Sequence, residues 1–322
     1  MIRLGASPEA LERAAALLRT GRLVAFPTET VYGLGADASD PNAVAAVFRA
    51  KGRPADHPVI VHLPNADAMA EWGREIPSSA WRLAEAFWPG PLTLVVPRAP
   101  QVNRIITGGQ DTVGLRVPGN PVARSLLERC GCALAAPSAN RFGRVSPTTA
   151  DHVLEEFGDE VAAVVDGGAC EVGLESTIVD LSGDRPLLLR PGMIPTESIG
   201  RVLGREPERA SKLEGARASG RLPSHYAPSS RTMLLPAAEL ERQVARWRDA
   251  GERVVVIAIS APAAGAEDIR LSDRPEAAAR QLYAVLRAAD AQKPDRIVVE
   301  MPPEDSSWAA VRDRLQRAAA AG

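Results

Sequence analysis

Four short segments place polar side chains where apolar runs begin or end. Pro27-Thr28-Glu29-Thr30-Val31-Tyr32-Gly33-Leu34 follows the run Leu23 to Phe26, and Lys51-Gly52-Arg53-Pro54 precedes His57-Pro58 and a run that ends near His62. Pro137-Ser138-Ala139-Asn140 follows Leu134 to Ala136, with Ser146-Pro147 close behind. Glu175-Ser176-Thr177 precedes one apolar run, and Arg190-Pro191-Gly192 follows the next. Loops beside buried strands are where functional groups usually sit. Taken singly, each has an ordinary explanation: Lys51 and Arg53 suit a solvated helix C-terminus, and Ser138 or Asn140 suit turns. Taken together, Lys51, Arg53 and Arg190 supply three cations, and Ser138, Ser146 and Asn140 supply neutral donors, a set suited to a polyphosphate.

A rival motif is weaker. Gly33-Leu34-Gly35-Ala36-Asp37-Ala38 fits the G-x-G-x-x-A dinucleotide fingerprint. That turn requires a strand running straight into the glycines and a helix opening within them. Here six residues separate Phe26 from Gly33 and the next helix signal is Asp40-Pro41, so the segment reads as a loop needing glycine flexibility. The chain has no G-x-x-x-x-G-K-[ST], so a nucleotide would be held by side chains and exposed amides.

The elements that must position these residues follow from periodicity and caps. Strands are expected at Leu23–Phe26, Val59–Leu63, Leu92–Val96, Val113–Val117, Leu134–Ala136, Ala162–Val165, Thr177–Leu181 and Leu187–Leu189. Helices are expected after Ser7-Pro8, after Asp40-Pro41, through Trp81 to Trp88, after Asn120-Pro121, and from Thr149 and Thr196. This is a mixed α/β domain over 1–204. Residues 205–230, with Gly215, Gly220, Pro223 and Pro228 and few apolar side chains, read as a linker. Over 231–322 strands at Thr232–Leu235, Arg253–Ile259 and Arg296–Glu300 alternate with helices at Ala237–Asp249, Pro275–Ala289 and Ser306–Ala320, the pattern of a small parallel, doubly wound sheet.

Composition narrows the function class. Of 322 residues, 38 are basic and 40 acidic, a net charge of −2, so no global field draws the chain to nucleic acid or an anionic membrane. Only Lys51, Lys212 and Lys293 are lysines, so an arginine-rich surface carries little meaning here. Cys130, Cys132 and Cys170 are odd in number and lack C-x-x-C spacing, against a disulfide framework or a zinc site and consistent with a reducing compartment. Arg3, Glu9, Glu12 and Arg13 interrupt any signal-peptide core, and the longest uncharged stretch, 254–266, is too short to span a bilayer. A cytoplasmic location is expected.

In order along the chain, Pro27-Thr28-Glu29-Thr30 with Tyr32-Gly33-Leu34, Lys51-Gly52-Arg53-Pro54, Leu115-Arg116-Val117-Pro118, Pro137-Ser138-Ala139-Asn140, Glu175-Ser176-Thr177, Arg190-Pro191-Gly192 and His225-Tyr226-Ala227-Pro228 resemble the YrdC-like threonylcarbamoyl-AMP synthase family in its long, two-domain form. Each tetrapeptide is weak alone, whereas seven in family order over about residues 8 to 230 are specific. The resemblance implies a YrdC-like twisted mixed sheet with helices and a smaller C-terminal Rossmann-like parallel α/β domain. It also implies synthesis of threonylcarbamoyl-AMP from L-threonine, bicarbonate and ATP, for tRNA threonylcarbamoyladenosine modification beside the anticodon. By the same resemblance Lys51, Arg53, Ser138 and Asn140 form a tetrad around the phosphates. ATP contacts map onto Arg53, His57, Thr112, Ala136, Ser138, Ser146, Arg190 and Tyr226, and threonine contacts onto Thr30, His62, Arg116 and Ser176. His57 stands where the family more usually has asparagine, and His62 can equally be a strand histidine satisfied by a backbone partner.

The chemistry of these residue types agrees: Arg116 can grip a carboxylate, and Thr30 and Ser176 can bond a substrate hydroxyl, which rejects analogues lacking it. Mg2+ is expected with the ATP, with Glu29 as the nearest acidic candidate and no carboxylate cluster for a protein-held metal. Cys170 reads as a buried bystander. The linker is expected to act as a lid, and the adenylate to pass to downstream tRNA threonylcarbamoyl transferase proteins. Two other readings are a double-stranded RNA-binding module of the same fold, which the net charge disfavours, and a carbamoyl-adenylate-forming maturation enzyme, whose cysteine-rich zinc segments this chain lacks.

Overall fold

The computed structural model describes residues 1–211, 214–220, 222, 224–260, 265 and 267–320; Lys212 and Pro223 of the expected linker lie outside the described residues. The chain divides into two compact units, one of Met1–Phe142, Pro147–Glu171 and Glu175–Arg221, the other of Gly143–Ser146, Val172–Leu174 and Leu222–Gly322.

In the first unit the strands are β1 (Ile2–Leu4), β2 (Val24–Pro27), β3 (Tyr32–Asp37), β4 (Ile60–His62), β5 (Leu92–Pro97), β6 (Thr112–Arg116), β7 (Leu134–Ala135), β8 (Ala163–Val165), β9 (Thr177–Asp180), β10 (Leu187–Arg190) and β11 (Glu208–Arg209). Among the described residues these form one sheet in the order β1-β8-β2-β3-β7-β4-β6-β5-β9-β10-β11. It is mixed: β4 runs parallel to β6 and β5 to β9, while β2/β3, β4/β7 and β5/β6 are antiparallel. Helices begin at the expected caps, with Ser7, Asp40, Asn120 and Thr149 side chains each accepting from an amide of the first turn.

Alternation along β2 decides what covers each face. Val24 and Phe26 pack with Leu11, Ala15 and Leu18 of helix Pro8–Arg19 and with Leu126 of helix Pro121–Cys130. Ala25 faces the other way with Val47 of helix Pro41–Lys51 and Val153 of helix Ala150–Phe157. Side chains as fully buried as Leu18 and Phe26 each contribute about 1.5–3 kcal/mol.

The loop reading of Gly33–Ala38 is corrected: Tyr32–Asp37 is a strand, paired antiparallel with β2 through Phe26 and Gly33. A Cβ on Gly35 would lie 2.7 Å from Phe26 Cε1, so this glycine makes room for the Phe26 ring. A strand hairpin at this point also removes the strand-to-helix turn a dinucleotide fingerprint requires.

The stretch read as a linker straddles the division between the units. Glu208–Arg209 pairs parallel with β10, Ala210 N donates to Leu188 O, and Ala216 N donates to Asp180 Oδ2 at 2.7 Å. Ala216 and Ala218 pack with Val95, Ile178 and Leu189, so small side chains let this segment lie flat on the sheet.

The second unit has four parallel strands, β12 (Arg231–Leu235), β13 (Val254–Ala258), β14 (Ile269–Arg270) and β15 (Arg296–Glu300), in the order β12-β15-β13-β14, as the alternating pattern predicts. Leu240 and Val244 of helix Ala237–Asp249 pack against Val254, Val256 and Val298. The segment Gly143–Ser146 joins this unit through Arg287 Nη2, which donates to Val145 O at 2.6 Å, and Ala227 N, which donates to Gly143 O at 2.9 Å. No helix among the described residues is long and apolar enough to cross a membrane. Cys130, Cys132 and Cys170 are free thiols, and Cys130 and Cys170 are buried.

Candidate active site

Lys51 ends helix Pro41–Lys51, and Gly52 caps it in the left-handed conformation, φ 62°. That exit carries Lys51 inward, where only 2 % of it is exposed. Its Nζ donates to Ser138 O at 2.5 Å and to Asn140 O. Gly33 forms an isolated bridge with Ser138, so three of the four segments meet here. Burial first, then the Arg53 charge, pulls the Lys51 pKa well below the ordinary lysine value.

Arg53 Nη2 donates to Pro58 O at 2.8 Å and to Ser219 Oγ at 3.1 Å, and Nε donates to His57 O at 3.3 Å. Its guanidinium lies 5.8 Å from the Phe142 ring centroid, and His57 meets the same ring edge-on at 5.2 Å. Burial and Arg53 lower the His57 pKa, which favours the neutral ring. Thr112 opens β6 and lines a cleft with Pro58, Ile60, Arg217 and Ser219. Ala136 N is used by Ile60 O at 3.0 Å.

A second cluster forms where β4 and β6 place His62 beside Arg116 in register. Arg116 Nη1 donates to Thr30 Oγ1 at 2.9 Å, Nε donates to Gly90 O at 3.2 Å, and Nη2 lies 2.7 Å from Glu29 Oε1. The turn that presents Thr30 is built by Thr28, whose Oγ1 accepts from Thr30 N and Val31 N, both at 3.2 Å, and donates to Val31 O at 2.7 Å. Burial raises the Glu29 pKa, but the Arg116 charge and hydrogen bonds outweigh it and hold the carboxyl below its usual range. Burial, then the Arg116 charge, pushes His62 down to about 3, so the ring is neutral. Backbone groups of Ile60 and Leu134 hydrogen-bond the His62 ring, in keeping with the alternative of a backbone-satisfied strand histidine, while Nδ1 is buried without a hydrogen-bond partner.

Ser176 is held by a different arginine. Its Oγ accepts from Arg190 Nη2 at 3.0 Å and lies 2.7 Å from Thr93 Oγ1, and its carbonyl accepts from Arg190 Nε at 3.0 Å. Arg190 Nη1 donates to Ser219 O at 3.0 Å, so Ser219 touches both Arg53 and Arg190. Sequence reasoning missed Ser219 and Thr93: one lies in a Gly- and Arg-rich stretch, the other in an apolar strand, and neither has a local signal. Ser146 and Tyr226 belong to the second unit, where both are buried; there Tyr226 faces Tyr283 at 5.8 Å and Arg314 at 5.3 Å.

The approach of Arg190-Pro191-Gly192 to β9 depends on the last residue, because a Cβ on Gly192 would lie 2.3 Å from Thr177 N. Gly192→Ala is therefore expected to destabilise the protein by about 1–3 kcal/mol, as overpacking does, and to loosen Ser176. Thermal unfolding checks the first effect, and an unchanged midpoint would contradict it.

Comparison with known proteins adds an independent line. Residues 16–192 match a family model described as "Telomere recombination" (Sua5/YciO/YrdC), and residues 194–320 match one described as "Threonylcarbamoyl-AMP synthase, C-terminal domain". The chain is 43% identical over 315 residues to the threonylcarbamoyl-AMP synthase of Pyrococcus abyssi, covering 95% of this chain and 92% of that one. It is 37% identical over 320 residues to that of Bacillus subtilis, covering 96% and 92%. The crystal structure of P. abyssi Sua5 complexed with L-threonine superposes with a TM-score of 0.92 at 40% identity, over 99% of this chain and 97% of that one. Two domain matches in order, relatives matched along nearly their whole length, and the same fold place this chain in the threonylcarbamoyl-AMP synthase family, in its two-domain form.

Proposed function

We propose that the chain is an L-threonylcarbamoyladenylate synthase, a nucleotidyltransferase that converts L-threonine, bicarbonate or CO2, and ATP into threonylcarbamoyl-AMP, pyrophosphate and water for tRNA modification. The observation that carries the reading is the junction at Ser176: through Arg190 and Ser219 it connects with Arg53, and through Thr93 with β5, the strand paired with the one that ends at Arg116. Polyphosphate and amino acid would thereby be held within one unit.

Lys51, Arg53 and Arg190 bind and neutralise the phosphates, with Ser138, Asn140, His57, Thr112 and Ala136 completing the ATP contacts in the first unit. Arg116 takes the threonine carboxylate, Thr30 and Ser176 its hydroxyl, and His62 offers a neutral nitrogen. The amine forms a carbamate with CO2, and the carbamate attacks the α-phosphorus, expelling pyrophosphate. Positioning and charge stabilisation are then the whole task, as is usual in phosphoryl chemistry.

Among the described residues no group of three or more His, Cys, Asp or Glu comes together to hold a metal, and Glu29 is paired with Arg116. Magnesium would travel on the ATP phosphates. The protein acts in the cytoplasm, and its product passes to tRNA threonylcarbamoyl transferase proteins.

Pyrophosphate release from ATP and magnesium tests the reading. It is expected to require both threonine and bicarbonate, with serine a partial and alanine a poor substitute. ATP untouched under every condition, by folded protein that binds double-stranded RNA, would replace the enzyme reading with the binding-module one.

Two predictions arise here. Burial, then the Arg53 charge, lowers the Lys51 pKa, and phosphates beside it oppose that shift, so the folded, ligand-free chain holds fewer protons there than the ATP complex does. ATP binding is expected to take up a proton at pH values above the free and below the bound Lys51 pKa, and affinity to fall as pH rises through the latter. Calorimetry in buffers of different ionisation enthalpy measures this, and Lys51→Met should abolish it. The second concerns the lid: Ser219 occupies hydrogen bonds of Arg53 and Arg190 that phosphates would use, so the 214–220 segment must withdraw as ATP enters. Ser219→Ala is expected to tighten ATP binding several-fold by removing the hydroxyl's share of that competition. Weaker binding in the same titration would make Ser219 a nucleotide contact instead.

A further inference from the structure

We infer that Cys130 and Cys132 are a reactive dithiol, a modification site that low-molecular-weight disulfides convert into an intramolecular bridge across Gly131. Neither cysteine belongs to the phosphate or amino-acid clusters, so the inference stands apart from the proposed reaction.

The helix end brings the two thiols together. Cys130 is the last residue of helix Pro121–Cys130, and Gly131 caps that helix in the left-handed conformation, φ 66° and ψ 17°. Past this turn the Cys132 side chain comes back to Cys130, and the two thiols hydrogen-bond to each other. Residues two apart have Cα atoms at most about 7 Å from each other in an extended chain. A turned chain is shorter and falls within the span of roughly 4.4–6.8 Å that disulfides bridge.

Their surroundings give the two thiols different parts. Cys132 is partly exposed, and a Cβ on the exposed Gly131 would meet nothing within 4 Å, so a reagent can approach from that side. Cys130 is 6 % exposed and packs with Leu126, Leu127 and Leu134. Arg19 stands beside both, its guanidinium fixed by bonds from Nη1 to Arg129 O and from Nη2 to Glu12 Oε1, each 2.7 Å. The hydrogen bond from Cys130 lowers the Cys132 pKa and Arg19 assists, outweighing burial and the Asp37 carboxylate. The same bond, then burial, keeps Cys130 protonated. Cys132 is therefore the attacking thiolate and Cys130 the resolving thiol. Cys170, buried and with its pKa raised by that burial, is the internal control.

The chemistry balances as two exchanges. Cys132 Sγ attacks one sulfur of the disulfide, forming a mixed disulfide and expelling a thiolate, which takes up a proton. Cys130 then gives up its proton and attacks Cys132 Sγ, expelling the second thiol. The protein loses two hydrogen atoms and two electrons, and the reagent becomes two thiols.

The experiment treats the reduced, full-length chain with hydroxyethyl disulfide and follows intact mass and peptide cross-links. The wild type is expected to lose the mass of two hydrogen atoms, with Cys130 joined to Cys132, Cys170 still a thiol, and dithiothreitol restoring the starting mass. Cys130→Ala should stop with one hydroxyethylthio group on Cys132. Cys132→Ala should react about 10-fold more slowly or less, since its remaining thiols are buried. A wild type that holds a stable mixed disulfide would overturn the inference, because the second thiol would not reach the first. Cross-linking between two copies, or no reaction by the folded chain, would overturn it as well. The wild-type result decides the matter if Cys130→Ala does not fold.

Discussion

Lys51→Ala is expected to lower threonine- and bicarbonate-dependent pyrophosphate release by about 10²- to 10³-fold, the usual loss when one preorganised charge is removed from a site. The reason is local. Its ammonium is buried and directed by the Ser138 and Asn140 carbonyls, so truncating the side chain removes a cation fixed at that point. Stability should respond differently. Burial already disfavours the charged form, so removing the charge relieves a cost while removing the stem opens a cavity. Lys51→Met keeps most of the stem and is expected to match the alanine variant in lost turnover while unfolding at the wild-type temperature or above. A methionine variant retaining more than a tenth of wild-type turnover would remove Lys51 from the phosphate site.

Arg116→Met carries the second large effect, and here stability and function fall together. Glu29 would be left buried beside an apolar side chain, and breaking a buried ion pair in this way costs about 3–5 kcal/mol. For a unit of this size that is roughly 10 °C in the unfolding midpoint. Threonine binding should vanish from titration calorimetry, because the carboxylate loses its cation. The double variant Glu29→Leu with Arg116→Met separates the two consequences: stability is expected to return to near the wild-type value and turnover is not. If the double variant were as unstable as the single one, the cost would lie in lost packing or in the bonds to Thr30 and Gly90 rather than in the orphaned carboxylate.

Much of the framework was legible in the sequence because its causes are local. Ser7, Asp40, Asn120 and Thr149 announce their helices because each cap satisfies amides two or three residues ahead. The helix Ala237–Asp249 and the alternation around it predicted the parallel sheet of the second unit for the same reason. Where the local signal was ambiguous the reading failed: glycines at 33 and 35 suggest a loop, and only the Phe26 ring packed against Gly35 explains why a strand needs them.

The residue types for phosphate and amino-acid chemistry were likewise present in the sequence, on four segments at strand ends, and their order carried the family resemblance. Which of them touch was decided by tertiary structure. Arg116 meets Thr30 across 86 residues because the strand order of the sheet brings the loop after β2 to the end of β6. Ser176 bonds to Arg190, and Ser219 from the expected linker closes on two arginines. Caps and periodicity act over one or two turns of chain and so can be read from neighbouring residues. Ion pairs, charge burial and strand register depend on which distant segments lie side by side, and that is settled only when the sheet closes.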